Sequence, residues 1–174
     1  MDNEGRVAAL HICAQARAGM QDVQEVEAIK GRGLAGDRYL LGTGTYSQRP
    51  GTGRQVTLIE AEALRELADR HGIAFSGAEA RRNIVTRGVR LEELIGATFR
   101  VGGATLRGMR PCEPCAYLQE LTGKPVLGPL AHRGGLRADI LVGGAIRVGD
   151  AIVAETAPAQ AVPLPGGAHP ARDE

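Results

Sequence analysis

The sequence predicts a mainly β, α+β fold: a β-barrel with a few short inserted helices. Many short apolar segments of strand length follow one another at close spacing. Glycine occurs 25 times and punctuates them at turn positions. Only residues 60–71 show good helical periodicity, so the regular strand–helix alternation of βαβ units is missing. A length of 174 residues suits one domain with a real core, expected over residues 5–155.

In chain order, the apolar run 7–13 reads as a first strand and the alternating segment 23–29 as a second. Residues 31–53 are glycine-rich and lack apolar periodicity, which predicts a long loop of the functional or mobile kind. Residues 55–59 form a strand, and 60–71 a helix with Ala61, Leu64, Leu67 and Ala68 on one face and Gly72 as its stop. A strand over 81–88 is entered through basic residues, and 91–95 makes one helical turn. Segments 98–101 and 105–109 pair as a hairpin across Gly102-Gly103. Residues 116–121 form a short helix ending near Gly123, and 136–142, 146–148 and 151–153 are closing strands. From Thr156 onward Pro, Ala and Gly dominate without periodicity, so residues 156–174 are expected to be a disordered tail.

Composition excludes several classes. The net charge of +1 gives no bias toward nucleic acid or membrane surfaces. Aromatics make up 3 % of residues and Trp is absent, which argues against base stacking as the main activity. The polar start, Met1-Asp2-Asn3-Glu4, is unlike a secretory signal, and no run approaches the roughly 20 apolar residues that span a bilayer. Three cysteines do not make a disulfide framework. A reducing cytoplasm is the expected location.

The most informative stretch is Pro111-Cys112-Glu113-Pro114-Cys115, at the end of the predicted hairpin. Proline fixes φ and donates no N–H, so each thiol is delivered from a stiff turn. Cys115 directly precedes the short helix, where peptide dipoles lower a thiol pKa. Cys112 sits beside the like charge of Glu113, which disfavours a second anion. Cys115 is therefore the better nucleophile or soft-metal ligand; two packing cysteines are the alternative. Zinc would need two further ligands, with His132 the attractive one, and a thioredoxin-like pair would need a βαβ setting.

Gly31-x-Gly33-x-x-Gly36 matches a dinucleotide-binding string, but no helix is expected after the last glycine. Its glycines still suit close approach to an anion, with Arg32 and Arg38 adding charge-assisted bonds. Asp37 and Arg38 paired for structure is the other reading. Arg81, Arg82 and Arg87 flank Asn83, and Arg133 and Arg137 lie by a second glycine loop beside His132. Arginine suits bidentate phosphate recognition.

Five segments in this order resemble the MOSC family, the domain at the C-terminus of molybdenum cofactor sulfurases. They are Gly33-Leu34-Ala35-Gly36-Asp37-Arg38-Tyr39, Arg82-Asn83-Ile84-Val85-Thr86, Leu91-x-x-Leu94-x-Gly96, the Pro114-Cys115 turn, and Ile146-Arg147-Val148-Gly149-Asp150. The resemblance implies a β-barrel and binding of molybdenum cofactor (Mo-molybdopterin), with Cys115 as the metal ligand. It places Arg38, Arg81, Arg82, Asn83, Arg133 and Arg137 around the pterin and its phosphate. The sulfurases carry a pyridoxal-phosphate domain and the amidoxime-reducing members an N-terminal barrel; neither is expected here, so the chain reads as a stand-alone bacterial-type member.

Two functions are compatible with the resemblance. One is an oxidoreductase that takes oxygen from small N-hydroxylated or N-oxygenated compounds, with Cys115 holding molybdenum and His132 or Asp37 assisting proton transfer. A separate reductase would supply the electrons. The other is a carrier, in which Cys115 bears a persulfide or holds cofactor for delivery. Neither involves nucleic acid or membrane, and the oligomeric state is open.

Overall fold

The computed structural model describes residues 4–49 and 51–155. The expected tail, 156–174, lies outside the described residues. Within them, eleven strands, three α-helices and one 3-10 turn follow in order. They are β1 (Gly5–Ile12), β2 (Gln21–Val23), β3 (Glu25–Ile29), β4 (Gly33–Leu34), α1 (Arg38–Leu41), β5 (Val56–Glu60) and α2 (Ala61–His71). Then come β6 (Ile84–Arg87), the 3-10 turn (Leu91–Leu94), β7 (Thr98–Val101), β8 (Ala104–Pro111), α3 (Ala116–Thr122), β9 (Leu136–Val142), β10 (Gly144–Arg147) and β11 (Ala151–Ala154).

The main sheet runs β11-β7-β8-β9-β5-β6-β1, and β1 pairs back with β11 to close a seven-stranded barrel. Closure removes sheet edges that would otherwise recruit other chains. β2 extends the far end of β1. Only β5 and β6 run parallel, and α2 supplies the crossover such a pair requires.

Alternation along the strands fills the barrel. Leu10, Leu58, Ile84, Phe99, Leu106, Leu136 and Ile140 point inward and are buried. Truncating a wholly buried side chain such as Phe99 to Ala costs about 3–5 kcal/mol. A small sheet, β10-β3-β4, adds Val26, Ala28, Leu34 and Ile146 to the same core. Outside the wall a second cluster forms where Leu67 of α2 and Leu118 of α3 pack with Ile59, Phe75 and Val126. That cluster seats α3, and with it the cysteine turn.

Two local features depart from the sequence expectation. The segment 23–29 is not one strand. It bends at Gln24, whose carbonyl accepts Val148 N–H, and divides between the two sheets. A helix also opens directly after Gly36. Asp37 caps α1 by accepting the Tyr39 N–H at 3.2 Å. Four residues are too few to show periodicity, so only the capping residue signalled it.

Candidate functional site

β8 ends at Pro111 and the chain enters the cysteine turn. Cys112 is 1 % exposed. Its N–H donates to Gly135 O at 2.8 Å, and its carbonyl accepts from Arg82 Nη2 at 3.1 Å. Three residues on, Cys115 is an exposed free thiol in extended backbone at the start of α3. The sequence-based distinction between the two thiols thus corresponds to a difference in access.

Cys115 lines a shallow recess of about 50 Å³, whose walls include Tyr39, Tyr117, Arg38, Arg81, Arg82 and Arg137. Water takes up about 30 Å³ per molecule in the liquid, so the recess admits one small group, not a whole ring system. Tyr117 Oη is the buried side-chain polar atom among the described residues that lacks a hydrogen-bond partner. A buried hydroxyl left unsatisfied costs about 1–3 kcal/mol, which a ligand atom can relieve. The Arg17 guanidinium lies over the Tyr117 ring, 5.2 Å from its centroid.

Beneath the recess lies a buried polar hub. Asp37 is wholly buried and accepts from Cys13 N–H (3.0 Å), Asn83 Nδ2 (3.1 Å) and Arg38 Nη1 (3.2 Å). Arg38 also donates to Arg81 O and stacks on the Tyr39 ring at 4.5 Å. Arg81 donates to Ala18 O and to Cys13 Sγ. Asn83 Oδ1 accepts from Thr57 N–H and Thr57 Oγ1, and its Nδ2 also donates to His11 O. Asp37, Arg38, Arg81 and Asn83, all singled out from sequence, are thus brought together, but they engage one another and main-chain carbonyls.

Arg82 is equally committed, donating to Gly134 O, Ala80 O and Cys112 O. It ties the β9 entry loop to the cysteine turn. His132 and Arg133 lie elsewhere, in a cavity of about 540 Å³ also lined by Glu60, Glu62, Arg90 and Glu113. Its charges satisfy one another: Arg133 pairs with Glu60 and Glu66, and Glu113 accepts the His132 N–H at 2.8 Å. His132 sits at φ +62° with its side chain in solvent. This cavity is far larger than the Cys115 recess, yet it holds no orphaned polar atom and no thiol.

Arg137 lines the recess together with Arg38, Arg81 and Arg82, but unlike them it has no main-chain carbonyl partner, and makes no ion pair, among the described residues. Burial pushes its pKa down, but the nearby Cys112 thiol and Tyr39 phenol outweigh this and raise it overall. Directly across the strand pair stands Arg110. Partial desolvation and repulsion from Arg137 and Arg54 hold Arg110 below the ordinary arginine value. Arg54, Arg110 and Tyr117 were not singled out from sequence. Arg110 and Tyr117 do flank the cysteine turn, and that nearness was the available signal.

Residues 45–153, well over half of the chain, match the family model of the MOSC domain. The chain belongs to the MOSC domain family. Solved structures agree on the fold. The YuaD protein from Bacillus subtilis superposes with a TM-score of 0.70 at 18 % identity, covering 85 % of this chain and 93 % of that one. YiiM from Geobacillus stearothermophilus gives 0.68 at 15 %, covering 90 % and 77 %. YiiM from Escherichia coli gives 0.60 at 18 %, covering 87 % and 70 %. No curated protein matches the chain in sequence.

The MOSC domain is associated in general with molybdenum cofactor. The residues of this MOSC domain fit such a group. Among the described residues no three His, Cys, Asp or Glu side chains converge to hold a bare metal ion. A metal that carried ligands of its own would need only one more from the protein. The exposed Cys115 thiol offers a soft ligand. Tyr117 Oη and Arg137 offer an orphaned hydroxyl and a guanidinium without a carboxylate beside it. Among the described residues no helix is long and apolar enough to cross a membrane.

Proposed function

We propose that this MOSC domain binds molybdenum cofactor through Cys115 and supports reduction of N-hydroxylated or N-oxygenated small molecules. The observation that carries this reading is the recess itself: an exposed thiol, a buried unpartnered phenol and an unneutralised guanidinium on one surface. The bound cofactor would supply the two-electron redox chemistry. The overall conversion takes an N–OH group, two electrons and two protons to N–H and water. The electrons come from a separate reductase.

The chain's own residues position and hold. Cys115, as thiolate, is the ligand. Tyr117 Oη donates to the substrate oxygen, and Arg137 holds negative charge beside it. The buried hub keeps Thr57, Tyr39 and the recess floor in register, and Arg82 fixes the cysteine turn to the loop before β9. In this reading the contribution of Asp37 is structural, because its Oδ1 accepts from three internal donors and its Oδ2 from the Tyr39 N–H.

Cofactor-loaded protein, supplied with an artificial electron donor and an N-hydroxylated base, tests the reading. Turnover that depends on Cys115 supports it. A persulfide on Cys115 with no turnover favours the carrier function, for which the solvent access of the thiol is equally suited.

A further inference from the structure

Arg17 occupies the left-handed region at φ +66°, in the loop 13–20 that joins β1 to β2. A side chain there crowds its own main chain, so the conformation is uncommon outside glycine. Strain of this kind points to a function for the residue that bears it. Gly19, with open space around it, stands two residues on. Arg17 is the one charged side chain in the loop, between Ala16 and Ala18.

The loop is held from beneath on both sides of this residue. Ala14 O accepts from Thr43 Oγ1 at 2.6 Å, and the Ala16 N–H donates to Thr43 O at 3.1 Å. Ala18 O accepts from Arg81 Nη1 at 2.5 Å. The buried Cys13 thiol lies 2.9 Å from Gln15 O and 3.3 Å from Ala18 O, and its single S–H serves either. These anchors tie the loop to the polar hub, because the Cys13 N–H itself donates to Asp37. With the main chain fixed around it, Arg17 is aimed by the backbone at α3. Its guanidinium lies over the Tyr117 ring, 5.2 Å from the centroid, and 3.9 Å from Glu120 Oε1. Tyr117 and Glu120 are three residues apart and share a face of α3. The ion pair is exposed on both sides and contributes little, so the ring contact is the specific one.

We propose that Arg17 is a positioning residue for Tyr117, pinning the face of the phenol so that its hydroxyl stays turned into the Cys115 recess. The hydroxyl lies on the χ2 axis, so ring flips leave it in place, whereas a swing about χ1 carries it away. Tyr117 Oη is enclosed without an internal partner, so no hydrogen bond of the fold holds it there. The cation on the ring face does so without occupying the hydroxyl, which stays free for a ligand atom. The anchored backbone keeps Arg17 in place at the expense of local strain. What the contact does for turnover rests on the reading of Tyr117 as the donor to the substrate oxygen, whereas the pinning of the ring stands without it.

The Hα–Hβ couplings of Tyr117, measured by NMR on the cofactor-free chain, report its χ1. A single rotamer is expected in the parent and in Arg17→Lys, which keeps a cation over the ring. Averaged couplings are expected in Arg17→Ala and Arg17→Gly. Arg17→Gly should nevertheless melt at or above the parent's temperature, since glycine adopts the positive φ without strain. On cofactor-loaded protein with an N-hydroxylated base, Arg17→Ala should lower kcat by about threefold to tenfold with KM little changed, and should add no loss to that of Tyr117→Phe. A single Tyr117 rotamer in Arg17→Ala, averaging in Arg17→Lys equal to that in Arg17→Ala, a melting temperature for Arg17→Gly well below the parent's, or losses that multiply in the double variant overturns the proposal. Ordering of the ring that depends on Arg17, in a protein that shows no turnover, upholds the positioning and overturns only the role given to the hydroxyl.

Discussion

Asn83 Nδ2 donates to Asp37 Oδ1 at 3.1 Å, and this contact ties the cap of α1 to the residue that leads into β6. It joins two segments far apart in sequence, beneath the surface that carries Cys115. Both partners are wholly buried. Asp37→Ala would strand the Arg38 cation and three further donors in the interior. A broken buried pair of this kind costs about 3–5 kcal/mol. Urea unfolding should show that loss, whereas an unchanged midpoint would mean the hub contributes nothing to the fold.

Tyr117→Phe separates stability from function. The hydroxyl has no internal partner, so its removal should leave stability unchanged or raise it by up to about 1 kcal/mol. Turnover of an N-hydroxylated substrate should fall at least tenfold, roughly the value of one lost hydrogen bond to a substrate oxygen. A melting temperature that drops together with activity would show instead that the phenol is packed for structure.

Gly135→Ala should disrupt the loop that anchors the cysteine turn. Gly135 stands at φ +114°, and an added Cβ would lie 2.0 Å from the Leu58 carbonyl oxygen. Its own carbonyl receives the Cys112 N–H. Backbone strain and displaced strand pairing together predict a loss of more than about 2 kcal/mol in thermal or denaturant unfolding. A parent-like melting curve would contradict this.

Acid sensitivity should include a small contribution from Glu79. Burial pushes its carboxyl up, but Lys124 at 2.5 Å and the Ser76 N–H outweigh this and hold it below the ordinary glutamate range. A depressed carboxylate stabilises the fold fully above the ordinary value, about 4.3, and that stability is lost as pH falls through the folded-state pKa. Both partners are about a third or more exposed, so the effect is under about 1 kcal/mol. Glu79→Gln should therefore lower the urea midpoint slightly near neutral pH and not at all in strong acid. A deficit that persists in acid would rule out the charge as its cause.

The barrel was legible because its elements are local. The hairpin across Gly102-Gly103, the helix over Ala61–His71 and the strands Leu136–Val142 and Ala151–Ala154 each carry their own periodicity and stop signals. Within the candidate site, the access of Cys115 could be read from its place before α3. The fate of the arginines could not. Whether Arg82 meets a ligand or the Gly134 carbonyl depends on chain segments brought together only by folding. Arg110 acquires its meaning from the strand register that sets it against Arg137, and no spacing in the sequence encodes that register. Tyr117 reads as an ordinary amphipathic position until its hydroxyl is found enclosed without a partner.

Molybdenum content per chain, measured on purified cofactor-loaded protein, tests the central assignment most directly. Cys115 is exposed at the recess, whereas Cys112 is buried with its main chain pinned at both ends. Cys115→Ser should abolish metal retention, because a hydroxyl is a hard and rarely deprotonated substitute for a thiolate. Cys112→Ser should keep most of the metal while losing about 1–3 kcal/mol of stability to a newly buried hydroxyl. Parent-like molybdenum in Cys115→Ser, or equal losses in the two variants, would contradict the assignment of the ligand to Cys115.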